Sequence, residues 1–261
     1  MGEGDVGVVG LIASLVLVAI ALAVSLWQRL GLEPQVLWAS ARAIVQLLVV
    51  GAALALVFDA DASIWWSWLW VVFMVGFGGV TVRNRTREVP GILPLATLAT
   101  GAAAAISLAT IFGLGIFPLE PRTLVPLAGM MIGNSMSNTV LAARRLVEEL
   151  RDNDQEVEAR LALGQPYQQA SRPYVRRALR TALTPQVETT KAVGLVFLPG
   201  AMTGLILAGV DPVDAVLVQA AIMYLILGSV ATTAAVTALG LTRRLFTPDH
   251  RLVVLERPGE G

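Results

Sequence analysis

Two asparagine side chains lie four residues apart in the apolar stretch PLAGMMIGNSMSNTVLAARRL, at 126–146. Asn134 and Asn138, together with Met130, therefore share one face of a helix. Amide side chains on a membrane helix are unfavourable unless they are hydrogen-bonded or face water. The spacing predicts one of two roles: hydrogen bonds to a neighbouring helix, or the polar lining of a translocation path.

Small residues form a second stripe on the same helix. Gly129, Gly133 and Ser137 also recur every four residues, and small side chains at this spacing let another helix approach closely. Gly200 and Gly204 repeat the pattern in a later apolar segment. We expect both stripes to lie at close helix contacts.

A charged side chain and an amide occur together in an earlier apolar segment. Arg42 and Gln46 are four residues apart. Arg42 lies near the predicted cytoplasmic end of that segment, where its guanidinium group can extend to the membrane interface. The alternative is that the pair lines the translocation path.

Methionine is the soft metal ligand that the apolar segments contain. The chain has no cysteine and a single histidine, His250, which excludes disulfides, Cys/His zinc sites and thiol nucleophiles. Thioethers can bind soft metals, but methionine in an apolar helix more often packs. No firm metal site is predicted from the five methionines of the later segments, Met130, Met131, Met136, Met202 and Met223.

Catalytic motifs are missing from the sequence. There is no G-x-x-x-x-G-K-[ST] phosphate loop, no H-E-x-x-H and no G-x-S-x-G, and one histidine in a terminal segment precludes a histidine-based triad. The chain is therefore predicted not to be an enzyme and to bind no cofactor itself. Any ATP hydrolysis that drives it would take place on another chain.

Membrane helices must position these side chains. The 261 residues are 56% hydrophobic and 15% charged, with a mean hydropathy of +0.71, well above the balance of a soluble domain. Apolar runs near the roughly 20 residues that cross a bilayer predict an all-α, polytopic membrane protein with one domain over 1–261. The seven predicted spans are 6–27, 36–58, 64–82, 91–117, 123–143, 192–210 and 213–240.

The loops between the spans indicate orientation. Seventeen of the 19 lysines and arginines fall on alternate loops, and the positive-inside rule then places the N-terminus outside and the C-terminus in the cytoplasm. We expect a multi-pass protein of the inner (plasma) membrane. The formal net charge of zero argues against nucleic-acid binding, which needs clustered basic residues.

The longest polar segment, at about 144–191, is predicted to be a helical cytoplasmic loop, with breaks near Gly164, Pro173 and Pro185. Its length exceeds the usual connection, which indicates a function. The stretch around the first break resembles the E-A-A-x-x-x-G coupling segment, through which ATP-binding-cassette permeases dock on their ATPase; an ordinary helix turn is the alternative. The residues that carry this match are Glu158, Ala159, Gly164, Gln165 and Pro166.

Four segments together resemble the FetB-type family of iron-export permeases, which includes plant aluminium-tolerance permeases. They are ARAIVQL at 41–47, the stretch at 126–146, LALGQPYQQA at 161–170 and KAVGLVFLPGAMTGLILAGVDPVDA at 191–215. The resemblance implies a homodimeric permease joined to two copies of a separate ATPase, which holds ATP and Mg, with efflux of a metal such as iron. Two alternatives stay open: a channel or carrier that works alone, and a membrane scaffold or sensor that binds a partner through its cytoplasmic loop.

Overall fold

The computed structural model describes residues 8–58, 63–89, 91–195, 197–247, 249 and 251–253, and the regular elements in these ranges are α-helices, with two isolated β-bridges in the connecting segments. The predicted all-α class is confirmed for this part of the chain. Two compact units are present, Met1–Ala62 and Ser63–Gly261. In the first, α1 (Val8–Gln28) and α2 (Glu33–Val57) form a hairpin, in which the Ser25 hydroxyl donates a hydrogen bond to Glu33 Oε1 at 2.6 Å.

The second unit is a helical bundle built around α5. Its helices are α3 (Ile64–Arg85), α4 (Ile92–Gly113), α5 (Pro121–Asp152), α6 (Asp154–Ala162), α7 (Tyr167–Ala192), α8 (Gly200–Leu207) and α9 (Pro212–Leu245). The α5 helix packs against α3, α7 and α9, and α4 packs against α3 and α9. A Cβ atom at Gly79 would overlap the Thr97 side chain, so glycine permits the close approach of α3 to α4.

Four described helices are long and apolar enough to cross a bilayer: Glu33–Ala55 in α2, Ile64–Arg85, Ile92–Gly113 and Pro212–Leu245. They correspond to the second, third, fourth and seventh predicted spans. The predicted first span lies in α1, whose apolar part, Ile12–Gln28, is shorter. The fifth lies in α5, which is 32 residues long but more polar. A count of seven spans stays a prediction.

The predicted sixth span, 192–210, is wrong as a single helix. After α7 ends at Ala192 the described backbone is non-helical up to Pro199, with Gly194 at φ +86°. The eight residues of α8 rise only about 12 Å, far less than the roughly 30 Å of a bilayer core. A positive-φ glycine and a proline, which restricts the residue before it, interrupt an apolar run that hydropathy alone reads as continuous.

The polar segment at 144–191 is also organised differently from the prediction. The α5 helix continues past its predicted end to Asp152, and α7 runs unbroken from Tyr167 to Ala192 with Pro173 and Pro185 inside it. The predicted breaks at these prolines are therefore wrong. Small and aromatic residues four apart on α7, namely Ala170, Tyr174, Ala178 and Ala182, are fully buried. Their packing on α5 and α9 outweighs the local penalty of the prolines.

Candidate functional site

The break between α6 and α7 is a glycine turn with a complete set of C-terminal hydrogen bonds. Gly164 has φ +85°, its N–H donates to the Leu161 carbonyl at 2.9 Å, and the Gln165 N–H donates to the Arg160 carbonyl at 3.2 Å. This pair of bonds ends a helix in the Schellman manner and requires a left-handed residue at the glycine. Pro166 then precedes α7 as its N-cap. The predicted helix, glycine break and second helix are confirmed.

An apolar side chain lies at the tip of this turn. Leu163 is 83% exposed, and Ala159, Gly164 and Pro166 beside it are exposed as well. Val157, on the opposite side of α6, is fully buried. The short helix is therefore anchored by one face and presents a small apolar surface with the other.

Ion pairs fix the base of this turn. Arg160 and Glu156 on α6 are 2.7 Å apart, and Arg160 lowers the pKa of the Glu156 carboxyl below its ordinary value. The Arg177 guanidinium on α7 lies 4.7 Å from the ring centroid of the buried Tyr174 and pairs with Glu149 of α5 at 2.7 Å. Burial raises the pKa of the Tyr174 phenol. These contacts connect α7 to α5 and stiffen α6, because the charged groups are held by more than one contact.

The segment after α9 folds back onto the same turn. Phe246 and Leu252 form an antiparallel bridge, and we call the segment at 246–253 the C-terminal hairpin, of which Pro248 and His250 lie outside the described residues. The Phe246 ring stacks on Tyr167 with centroids 5.4 Å apart. Glu158 Oε1 accepts a hydrogen bond from the Leu252 N–H at 3.1 Å. The hairpin therefore braces both sides of the glycine turn.

The asparagines of α5 form hydrogen bonds within their own helix. The Asn134 side-chain amide donates to the Met130 carbonyl at 2.7 Å, and that of Asn138 donates to the Asn134 carbonyl at 2.9 Å. The hydroxyls of Ser135 and Ser229, 3.4 Å apart, join α5 to α9 instead. The predicted bond from the asparagines to a neighbouring helix is thus not formed within the described part of the chain.

The small-residue stripe of α5 is uncovered. A Cβ atom at Gly133 would have no neighbour within 4 Å among the described residues, and one at Gly129 would only touch Met74 Sδ, at 3.8 Å. Ser137 and Asn134 are exposed on the same side. The close contact predicted here is not made between residues that the structure describes.

The other residues predicted from the sequence lie apart from one another and do not form one site among the described residues. Gly200 and Gly204 of α8 also have open space around them. Arg42 and Gln46 are exposed on α2 in the first unit. Met131 and Met202 are buried, as packing residues would be, and no group of three or more histidines or carboxylates that could hold a metal occurs among the described residues.

Comparison with known proteins decides the family. A model of the Uncharacterised protein family (UPF0014) matches residues 8–246, which is most of the chain. The chain belongs to this family. The UPF0014 match confirms the resemblance seen in the sequence, and with the apolar helices above it establishes a multi-pass helical membrane protein. No solved structure matches the chain.

Named relatives of this UPF0014 chain come from plants and bacteria. The UPF0014 membrane protein STAR2 of Oryza sativa subsp. japonica is 40% identical over 86% of this chain and 78% of its own length. Protein ALUMINUM SENSITIVE 3 of Arabidopsis thaliana is 36% identical over 94% of this chain and 90% of its own. The probable iron export permease protein FetB of Escherichia coli (strain K12) is 35% identical over 93% of each.

Several residues of the candidate site in this UPF0014 chain could not be found from the sequence. The C-terminal hairpin contacts join residues 94 positions apart, and no local pattern predicts such a pairing. Leu163 was not singled out from the sequence either, although its position directly before the glycine places it at the end of the predicted helix. The Arg177–Glu149 pair joins two helices whose packing was not predicted.

We predict that Glu158 holds the C-terminal hairpin in place. Glu158→Ala removes the acceptor of the Leu252 N–H, so hydrogen–deuterium exchange of the peptide covering 245–253 should accelerate several-fold. Glu158→Gln keeps an oxygen acceptor and should exchange close to the parent rate. Mass spectrometry of the digested protein measures both. Equal exchange in the alanine variant and the parent would contradict the assignment.

Proposed function

We propose that this chain is the membrane-spanning permease subunit of an ATP-binding-cassette transporter that exports a metal ion such as iron. The observation that supports it most is the braced α6–Gly164–α7 turn with its exposed Leu163. An exposed apolar side chain on a rigid support is typical of a docking element. The partner is a separate ATPase that binds ATP and Mg, and the chain itself is not an enzyme.

The coupling residues then have distinct roles. Gly164 supplies the left-handed turn, Gln165 and Pro166 lead into α7, and the exposed Ala159 extends the surface around Leu163. Glu158 supports the turn without contacting the partner, because its carboxylate accepts a hydrogen bond from the C-terminal hairpin. An ATPase groove that receives Leu163 would bury a side chain that is now 83% exposed, which contributes roughly 1.5–3 kcal/mol to docking.

The uncovered face of α5 supports the homodimer. Gly133 presents its backbone and Ser137 its small side chain on an exposed surface among the described residues, as a helix does when its partner comes from a second copy. The adjacent Asn134 would then lie beside the path between two copies, next to the half-buried Met130, whereas Asn138 is buried one turn further along α5. Arg42 and Gln46 stay candidates for that path. A metal would pass without a firm His or carboxylate site, held weakly enough to be released.

The orientation follows the charge distribution. We infer that the N-terminus is external and that the turn at Gly164 and the C-terminus are cytoplasmic, in the inner (plasma) membrane. The last turn of α9 contains two exposed arginines, Arg243 and Arg244. It lies at the same end of the bundle as the turn at Gly164. Basic residues at the end of a membrane helix favour the cytoplasmic side.

Cysteine chemistry tests this proposal directly, since the chain has no cysteine. We expect Gln165→Cys to react with an impermeant maleimide only in opened cells, and a crosslinker placed on it to capture a protein with a Walker-type nucleotide-binding motif. Arg122→Cys, at the other end of α5, is the control: it should react in intact cells and capture no ATPase. Labelling of Gln165→Cys in intact cells would overturn the orientation.

The permease and the partner that the crosslink identifies are then tested together in a transport assay. Inside-out vesicles that contain both proteins should take up iron when ATP is added, and vesicles with the permease alone should not. ATP-independent uptake by the permease alone would indicate a channel or carrier. A crosslinked partner without a nucleotide-binding motif, and no uptake, would indicate a scaffold or sensor.

A further inference from the structure

A cavity of about 230 Å³ opens between the start of α7 and the end of α9. Arg172 and Arg176, four residues apart on α7, and Arg243 in the last turn of α9 all line it. None of the three forms an ion pair with a carboxylate in the described part of the chain, and no acidic residue is among those lining the cavity. Three guanidinium groups around one space repel each other and favour an anion between them.

A buried hydroxyl in the same wall lacks a partner. Ser171 is fully buried and lines the cavity, and its Oγ makes no hydrogen bond within the described residues. A buried polar group left unpaired is unfavourable. A ligand oxygen between the arginines and this hydroxyl would relieve both problems.

The cavity also has an apolar side, which lies just below the headgroup level of the membrane. Leu239 lines it, is 59% exposed, and lies one turn before Arg243 on α9, a helix apolar enough to cross the bilayer. The basic end of such a helix lies at headgroup level, with the apolar turn before it facing acyl chains. An amphiphile with an anionic head matches both sides of this opening.

We propose that this cavity binds the phosphate of an anionic phospholipid, with the arginines holding the phosphate oxygens and Leu239 contacting the lipid tail. This lipid site requires that the chain lies in a membrane, as its family does, and does not require an ATPase partner. A soluble phosphate has the negative charge of the lipid headgroup but has no acyl chain to contact Leu239. Because α7 begins three residues after Gly164, the bound lipid would anchor the root of the turn to the membrane surface.

Lipid binding to the purified full chain tests this proposal. In detergent we expect phosphatidylglycerol to bind more tightly than phosphatidylcholine, by native mass spectrometry and by titration with a fluorescent analogue. Arg176→Gln should weaken phosphatidylglycerol binding about tenfold, as expected for one lost charge-assisted bond. The control is Arg180→Gln, which removes an exposed arginine of α7 outside the cavity and should bind like the parent.

Two further measurements separate the sources of the phosphate. Ser171→Ala should weaken lipid binding without lowering thermal stability, since the hydroxyl has no hydrogen-bond partner among the described residues. Inorganic phosphate at millimolar concentration should not displace the lipid. Displacement by inorganic phosphate would overturn the lipid in favour of a soluble phosphate ligand. Equal losses in Arg176→Gln and Arg180→Gln, equal binding of the two lipids, or displacement by an acidic soluble protein would overturn the site.

Discussion

Replacing Gly164 with valine should abolish most of the copurification of the ATPase while membrane insertion and dimer formation survive. At φ +85° a Cβ atom would meet no atom within 4 Å among the described residues beyond its two chain neighbours, so the effect comes from the backbone conformation. Holding a β-branched residue in this conformation is unfavourable by roughly 1–3 kcal/mol. The turn would relax, its two closing hydrogen bonds would be lost, and Leu163 would point elsewhere.

A strain-matched control is available in the same chain. Gly209, in the turn before α9, has φ +86°, and a Cβ atom there would also have no neighbour within 4 Å. Gly209→Val should lower stability to a similar degree and retain the ATPase. The measurement is ATPase recovery per mole of purified permease for both variants and the parent. Full recovery and normal export with Gly164→Val would leave the coupling assignment without support.

Enlarging Gly133 should separate the two copies of the chain. The position is uncovered on α5, so leucine fits the isolated chain but holds a second helix away, at an expected penalty of roughly 1–3 kcal/mol for overpacking. Chemical crosslinking and size-exclusion chromatography in detergent should show a shift from dimer to monomer. Gly133→Ala, which stays small, should assemble like the parent.

Substitution of the neighbouring Asn134 should impair transport and leave assembly intact. Within the described part of the chain its side-chain amide donates to the Met130 carbonyl of its own helix, so Asn134→Ala removes a polar group from the exposed face without adding volume. We expect normal assembly and reduced transport in the vesicle assay. If Gly133→Leu and Asn134→Ala both assembled and transported like the parent, the proposed roles of this face would be wrong.

Local chemistry explains which features the sequence could predict. The break at Gly164 was predictable because a glycine and a proline two residues later act within one turn. The failure at Pro173 and Pro185 has a different origin, since the buried face of α7 keeps the helix intact through contacts with other helices. Hydropathy over 192–210 could not reveal a broken backbone, because apolar content does not report φ.

The candidate site was predictable only in part. Spacing along α5 grouped Gly133 with Ser137, and both are exposed, because helical periodicity is a local property. The same spacing grouped Asn134 with Asn138, but only Asn134 is exposed and Asn138 is buried. Whether that face is covered depends on the arrangement of other helices, and none of the described residues lies within 4 Å of a Cβ atom built at Gly133. The contacts of Glu158 and of the C-terminal hairpin depend on the folded chain as a whole.

The continuity of α5 makes it a mechanical link. Asn134 and Asn153, which ends the helix as its C-cap, are separated by about 28 Å of helical rise, and Pro126 lies outside this interval. With no proline or break between them, a rotation imposed at the coupling end turns the asparagine face through a comparable angle. Force that a docked partner transmits through α6 to Asn153 would therefore continue along α5 to the middle of the bundle as torque, with no further break in the helix on the way.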